Sequence, residues 1–196
     1  MKVCILPGVG FHDKIAPNEI YMVKYLKETL PEYDIEYFNW KHVGHIPPLP
    51  KNMNWLSRKV RDFTLEVILD FDSVIAHSFD IELPKADIYV GHSAGSVLAI
   101  LQNTPAITFG CPYSLVMQLQ TMDTLSGKYL KKFVANRILP IYNIVNENDI
   151  LALNVDNAEN YVYKKGWNPL SAHLDYWSNK EICKLIAKKI VDYTKM

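Results

Sequence analysis

The segment Gly91-His92-Ser93-Ala94-Gly95 is the strongest constraint on the fold, because it joins a predicted strand to a predicted helix. An apolar run at residues 87–90 precedes it, and residues 97–101 continue as an apolar helical pattern. A serine nucleophile must stand clear of the backbone at the end of a strand, which requires a strained turn. Glycines two positions before and after the serine let the strand and the helix pass close together. This Gly-x-Ser-x-Gly pattern therefore predicts a nucleophile at Ser93.

Short apolar runs alternate with helical patterns along the chain, which is typical of an α/β fold with a mostly parallel sheet of five to six strands. Pro140 predicts that the fifth strand is an edge strand or begins just after the proline. Helices on both faces give a three-layer α/β/α sandwich, and the lack of repeats predicts one domain over residues 1–196. The predicted strands are residues 3–6, 35–38, 87–90, 106–109 and 138–145, with 161–163 as a sixth candidate. The predicted helices are residues 18–30, 56–77 and 113–133, and a last one opened by a capping box at 178–181.

Composition excludes several classes of partner. Among 196 residues, 21 Lys and Arg balance 21 Asp and Glu, and there is no basic stripe suited to nucleic acid. The three cysteines have no close spacing, which disfavours a disulfide framework or a zinc site. No window approaches the roughly 18 apolar residues of a membrane span, and Pro7-Gly8 break the apolar start too early for a signal peptide. We therefore expect a cytoplasmic protein with no nucleic-acid partner and no integral membrane association.

Two loops could serve a function. Residues 7–13 read Pro-Gly-Val-Gly-Phe-His-Asp, but Asp13 stands where a dinucleotide-binding fingerprint has its third glycine. The loop also lacks the Lys-Ser/Thr pair of a phosphate-binding loop, so a nucleotide site is disfavoured. Residues 40–54 contain three prolines and do not match regular structure. This second segment is either a proline-stiffened surface loop or a cap over an active-site mouth.

The serine segment in its strand–turn–helix setting resembles the nucleophile elbow of the α/β-hydrolase superfamily. The resemblance spans nearly the whole chain and implies the strand order 2-1-3-4-5 for the α/β-hydrolase fold. The winding direction then reverses between the first strand and the strand before Ser93, and ligands of open α/β sheets bind at such a reversal. The glycine-bearing loop after the first strand is therefore expected to face the Ser93 elbow.

The same resemblance implies that a catalytic acid and then a histidine follow the nucleophile along the chain. His173 is the only histidine beyond the elbow, and we expect it in a loop just ahead of the last helix. A lone loop histidine is more often a surface residue. Its uniqueness and its position together favour His173 as the base that takes the proton of Ser93.

The acid implied by the resemblance lies in the loop after the 138–145 strand. Asp149 follows that strand by about four residues and precedes aliphatic residues, as in the superfamily, so it is the expected partner of the imidazole. Glu147 and Asp156 are the fallback acids. Asp175 is too near the histidine in the chain for an easy approach to its ring, and we expect it to be a surface or supporting group.

The oxyanion hole implied by the resemblance needs two backbone donors. The N–H of Ala94, the residue after the nucleophile, is the expected first donor. The second is Val9 or Gly10 in the loop after the first strand, and the sequence does not choose between them. Superfamily members often carry His-Gly where this chain has Pro7-Gly8. His92 is expected to pack beneath the elbow rather than to act as a base.

A weaker resemblance to class 3 lipases rests on residues 91–95, 108–112 and 173–177 together with Asp149. Two departures limit it. Those lipases have an arginine where this chain has Tyr113, and a glycine where it has Ser96. This resemblance therefore hints only at carboxylic esters as substrates.

These residues predict a serine hydrolase that cleaves a carboxylic ester or thioester of a small-molecule acyl substrate through an acyl-enzyme intermediate. That mechanism needs neither a metal nor an organic cofactor. The alternative from another class is a catalytically idle α/β-hydrolase scaffold that binds a ligand. The plainest interpretation, a tight strand–helix turn, is less favoured because an acid and a histidine follow in the required order. Residues 113–122 offer aromatic and methionine surface suited to an acyl chain, but core packing explains them equally well.

Overall fold

A six-stranded sheet forms the centre of the part of the chain that the structure describes. The computed structural model describes residues 1–8, 17–40, 82–112, 132–166 and 168–196. The sheet order is β2-β1-β3-β4-β5-β6, and every neighbouring pair of strands is parallel. The predicted fold class and the order 2-1-3-4-5 are therefore confirmed, and β6 extends the sheet beside β5. The strands are β1 (Lys2–Leu6), β2 (Asp34–Tyr37), β3 (Ile88–His92), β4 (Ala106–Phe109), β5 (Ile141–Asn146) and β6 (Glu159–Tyr163).

Helices cover both faces of the sheet, which makes the three layers. The described helices are α1 (Pro17–Thr29), α2 (Ala94–Leu101), α3 (Pro169–Asp175) and α4 (Lys180–Tyr193), with a 3-10 helix at Tyr176–Ser178. Alternate residues of β1 enter different cores, because successive side chains of a strand point to opposite faces. Cys4 and Leu6 join the core that contains the α2 side chains. Val3 and Ile5 join the core that contains the buried sides of α1 and α4.

Three local predictions need correction. Pro140 lies just before β5, which begins at Ile141. Because β5 lies between β4 and β6, the edge-strand alternative is wrong. The last helix is capped by Asn179 rather than Ser178, because the Asn179 side chain accepts from Glu181 N at 3.1 Å. His173 belongs to α3 and not to a loop. The predicted helix over residues 56–77 lies outside the described residues, and so do residues 113–131 of the predicted helix 113–133 and residues 41–54 of the possible cap 40–54.

A polar row crosses three neighbouring strands and ties the loop after β5 to the sheet. Thr108, Asn143 and Asn160 are register partners on β4, β5 and β6. The Thr108 hydroxyl donates to Asn143 Oδ1 at 2.9 Å, and Asn143 Nδ2 donates to Asn160 Oδ1 at 2.9 Å and to the carbonyl of Leu153 at 3.1 Å. Asn160 also bonds both the N–H and the carbonyl of Val155, at 2.9 and 3.0 Å. Since buried polar groups are costly unless they are paired, this row fixes both the register and the β5–β6 loop.

Candidate active site

Ser93 occupies a one-residue turn between the end of β3 and the start of α2. Its φ of 50° and ψ of −123° place it outside the regions that non-glycine residues ordinarily adopt. The Ser93 N–H donates to the carbonyl of Phe109 at 3.1 Å, and the Ser93 carbonyl accepts from Ser96 N at 2.9 Å. The residues on either side of Ser93 are buried, while Ser93 itself is partly exposed. The turn thus presents one strained serine at the carboxyl end of the sheet.

Two glycines let three backbone segments meet at this turn. A Cβ atom on Gly91 would lie 2.4 Å from the Gly95 carbonyl oxygen. A Cβ atom on Gly95 would lie 2.3 Å from the Leu6 carbonyl oxygen and 2.4 Å from that of Pro7. Gly91 therefore permits contact of β3 with α2, as the sequence pattern suggests. Gly95 permits an additional contact of α2 with the end of β1, because only a residue without Cβ fits there.

His173 and Asp149 form a buried hydrogen-bonded pair. The distance from His173 Nδ1 to Asp149 Oδ2 is 2.8 Å. The two residues are 8% and 2% exposed, so water competes little for either side chain. Because carboxylate oxygens only accept hydrogen bonds, Nδ1 carries the hydrogen, and Nε2 of a neutral imidazole is left with a free lone pair. The arrangement provides a proton acceptor whose tautomer and orientation are set by an acid.

The Asp149 carboxylate accepts hydrogen bonds at both oxygens. Leu151 N donates to Oδ1 at 3.0 Å, and the Tyr176 hydroxyl donates to Oδ2 at 3.1 Å. The Tyr176 hydroxyl in turn accepts from Asn146 N, at the end of β5, at 2.8 Å. With the His173 bond, three donors surround this buried carboxylate, which is how proteins accommodate a buried charge.

His92 packs beside the same imidazole. Its ring centroid lies 4.7 Å from that of His173, and its Nε2 lies 2.9 Å from the His173 carbonyl oxygen. A carbonyl only accepts, so Nε2 of His92 is the donor in this bond. Gly110, with φ of 59°, passes over both rings; a Cβ atom there would lie 3.1 Å from His92 Nε2 and 3.2 Å from His173 Cε1. His92 thus packs against the imidazole of His173 from the end of β3, next to Ser93 in the chain.

The predicted oxyanion donors are only partly within the described residues. Ala94 is the first residue of α2 and is 1% exposed. Val9 and Gly10 lie outside the described residues. Gly8, just before them, faces the elbow closely: a Cβ atom on Gly8 would lie 2.8 Å from Ser93 Cβ. The start of the loop after β1 therefore lies against the elbow, as the predicted strand order implies.

The other carboxylates considered from the sequence are more exposed than Asp149. Glu147 is exposed and forms an ion pair with Lys164 at 3.7 Å, and Asp156 is exposed in the β5–β6 loop. Asp175 bonds Lys165 Nζ at 3.2 Å and Asn179 Nδ2 at 3.1 Å. No sequence pattern indicated a role for Tyr176 or Gly110. The one signal for Tyr176 is its position three residues after the histidine, about one helical turn away.

Among the described residues, no group of three or more His, Cys, Asp and Glu side chains is placed to hold a metal ion. None of the helices that the structure describes is both long and apolar enough to cross a membrane. Cys4, Cys111 and Cys183 are buried free thiols, and burial raises the pKa of Cys4 and of Cys183 to about 12.

No protein-family model matches the chain, and no curated protein matches it. Several solved structures, in contrast, match the chain in fold. Est1E from Butyrivibrio proteoclasticus is 13% identical with a TM-score of 0.55, over 100% of this chain and 88% of that one. The esterase domain from a Rhodothermus marinus protein is 11% identical with a TM-score of 0.53, over 96% and 84%. The Pyrococcus furiosus esterase Pf2001 is 14% identical with a TM-score of 0.52, over 98% and 82%. The chain has the α/β-hydrolase fold.

Proposed function

We propose that this chain, with its α/β-hydrolase fold, is a serine hydrolase that cleaves a carboxylic ester or thioester through an acyl-enzyme intermediate. One observation carries the proposal: the buried hydrogen bond of 2.8 Å between His173 Nδ1 and Asp149 Oδ2, at the end of the sheet that holds the strained Ser93. A serine hydroxyl is a weak nucleophile until an oriented base takes its proton. The pair supplies such a base, and a partly exposed serine supplies the hydroxyl.

In the proposed acylation step, Ser93 Oγ attacks the acyl carbon and its proton passes to Nε2 of His173. Asp149 stabilises the resulting imidazolium and keeps its ring oriented. The negative charge on the former carbonyl oxygen is stabilised by the N–H of Ala94 and by that of Val9 or Gly10. The imidazolium then protonates the leaving alcohol or thiol, whose bond to the acyl carbon breaks.

Deacylation repeats the sequence with water. His173 removes a proton from the water that attacks the acyl-Ser93 ester, and it returns the proton to Ser93 Oγ as the acid product leaves. Every proton transfer in the cycle uses His173, so the proposed mechanism requires no metal or organic cofactor. Two of the three similar structures are esterases by name, which supports an ester as the substrate class.

The test is turnover of short-chain nitrophenyl esters and thioesters by Ser93→Ala and His173→Ala. Each substitution is expected to lower kcat by on the order of 10⁴-fold, because members of such a triad act as a unit. Ser178→Ala is the matched control, since Ser178 is an exposed serine remote in sequence from the elbow, and it is expected to leave kcat unchanged. Activity in Ser93→Ala equal to that of the parent chain would refute the proposal.

A further inference from the structure

We propose that Tyr176 is a positioning residue: its hydroxyl fixes Asp149 Oδ2 against His173 and limits how strongly the carboxylate attracts the imidazole proton. This inference rests on the proposed function above. The Tyr176 hydroxyl bonds Asp149 and takes no part in the proposed proton transfers, so it acts through Asp149. The proposed role concerns the basicity and orientation of His173 rather than the reaction that His173 serves.

The direction of each hydrogen bond at the hydroxyl follows from its partners. Asn146 N is a backbone donor, so the Tyr176 oxygen accepts at 2.8 Å. The hydroxyl hydrogen is then left for Asp149 Oδ2 at 3.1 Å. The hydroxyl thus connects the last residue of β5 to the carboxylate three residues further along the chain. No other arrangement of this hydrogen satisfies both bonds.

The phenol is held rigidly, so the hydroxyl can hold the carboxylate in turn. Tyr176 is 0% exposed, and its ring centroid lies 5.8 Å from those of Phe109 and Tyr163 and 6.0 Å from that of His92. A buried ring with aromatic neighbours on these sides has little room to change rotamer, since packed interiors leave little free space. A mobile carboxylate would lose the bond to His173 by rotation about its Cβ–Cγ bond.

The Tyr176 hydroxyl stays protonated, and so remains a hydrogen-bond donor, over the pH range in which an esterase works. Burial, and after it the nearby Asp149, raise the pKa of Tyr176 well above its ordinary value of 10.0. The titratable groups packed around the hydroxyl are Asp149, His173, His92 and Tyr163. Of these, only Asp149 accepts the hydroxyl hydrogen.

The consequence for catalysis has a definite sign. Donors to a carboxylate disperse its negative charge, so less of that charge is available to stabilise an imidazolium. Loss of the Tyr176 donor concentrates charge on the oxygen that faces His173. The imidazole is then protonated at higher pH, and the acid limb of the pH profile of kcat/KM moves to higher pH. Loss of rigidity lowers kcat at the same time.

The experiment compares Tyr176→Phe with Tyr163→Phe. Tyr176→Phe keeps the ring and removes only the hydroxyl; we expect kcat/KM to fall by about tenfold and the acid limb to move up by about half a pH unit. Tyr163→Phe makes the same change in size at a half-buried tyrosine whose ring packs against that of Tyr176 but whose hydroxyl does not bond Asp149. We expect that control to leave both quantities unchanged.

A spectroscopic readout separates this inference from the proposed function. The Nδ1 proton between His173 and Asp149 is expected to give a far-downfield NMR resonance, to be identified by its loss in His173→Gln. We expect this resonance to shift in Tyr176→Phe and to stay in place in Tyr163→Phe, whether or not the protein hydrolyses esters. If Ser93→Ala keeps full activity and the resonance still responds to Tyr176, the proposed function fails and the positioning role stands.

The inference is overturned if Tyr176→Phe folds but leaves both the acid limb and the downfield resonance unchanged, even with a lower stability. If Tyr176→Phe does not fold, 3-fluorotyrosine placed at position 176 tests the same point, because its more acidic hydroxyl is a stronger donor. The acid limb is then expected to move to lower pH, opposite to the change for phenylalanine. An unchanged limb in the folded fluorinated protein overturns the inference.

Discussion

Gly95→Ala tests the tight turn on which the site is built, because two physical effects predict opposite signs. Gly95 lies in the first turn of α2, and replacement of a helical glycine by alanine ordinarily stabilises by about 1 kcal/mol. The structure places backbone where the methyl group would go. The new Cβ would lie 2.3 Å from the Leu6 oxygen and 2.4 Å from the Pro7 oxygen.

The steric effect is expected to dominate. Real Cβ atoms keep at least 3.0 Å from such atoms, so either the end of β1 or the start of α2 must move by several tenths of an ångström. Overpacking of a rigid site costs about 3 kcal/mol at the upper end of the measured range. After the gain in helix propensity, we expect a net loss of about 2 kcal/mol in the free energy of unfolding.

Urea denaturation followed by circular dichroism measures this loss. With a slope of about 2 kcal/mol per molar urea, the midpoint is expected to fall by about 1 M. Gly95→Ser extends the series, because its side chain is larger at the same position, and it is expected to fall further. An unchanged or higher midpoint in Gly95→Ala would refute the close contact between α2 and β1.

Three further predictions concern the surroundings of the elbow. The Arg137 guanidinium donates to the carbonyl of Ile100 in the last turn of α2 and to those of Gln102 and Thr104 beyond it. Arg137→Met is expected to lower the free energy of unfolding by about 2 kcal/mol, since it leaves those acceptors unpaired, and an unchanged urea midpoint would contradict this. His92→Phe keeps the aromatic packing but removes the hydrogen bond to the His173 carbonyl. We therefore expect kcat/KM to fall by about tenfold while the melting temperature changes little. Full activity in this variant would count against a role for that hydrogen bond. Burial raises the pKa of Tyr142 from 10.0 to about 12. The stabilising contribution of the protonated Tyr142 is complete below about pH 10 and is lost as the pH rises towards 12, so the urea midpoint is expected to fall over that interval. A urea midpoint that stays constant over that interval would argue against this contribution.

The sequence predicted the sheet well because each strand is a short apolar run with clear boundaries. Residues 106–109 were predicted as a strand and match β4, which is buried at all four positions. The strand before the elbow extends two residues further than predicted, to His92. Gly91 and His92 resemble turn residues, yet they pair with Leu6 and Phe109 on the neighbouring strands because the turn is confined to Ser93. Tertiary pairing here overrides local propensity.

The sequence predicted only those site residues that can be identified from their order along the chain. Order along the chain selected Asp149 and His173, and the structure brings them within hydrogen-bond distance. It did not indicate that α3 carries the histidine, because seven residues from Pro169 are too few to show a helical period. The role of Tyr176 depends on a contact with Asp149 across 27 positions of the chain, which no local pattern encodes.

The central claim, that Ser93 is a nucleophile activated by His173 and Asp149, is tested most directly by a fluorophosphonate probe on the folded protein. Intact mass spectrometry is expected to show one adduct per chain, and peptide mapping is expected to place it on Ser93. The adduct is expected to be absent from Ser93→Ala and to form far more slowly in His173→Ala. Folded protein that gains no adduct, or gains one at another residue, would contradict the claim and favour an idle scaffold that only binds its ligand.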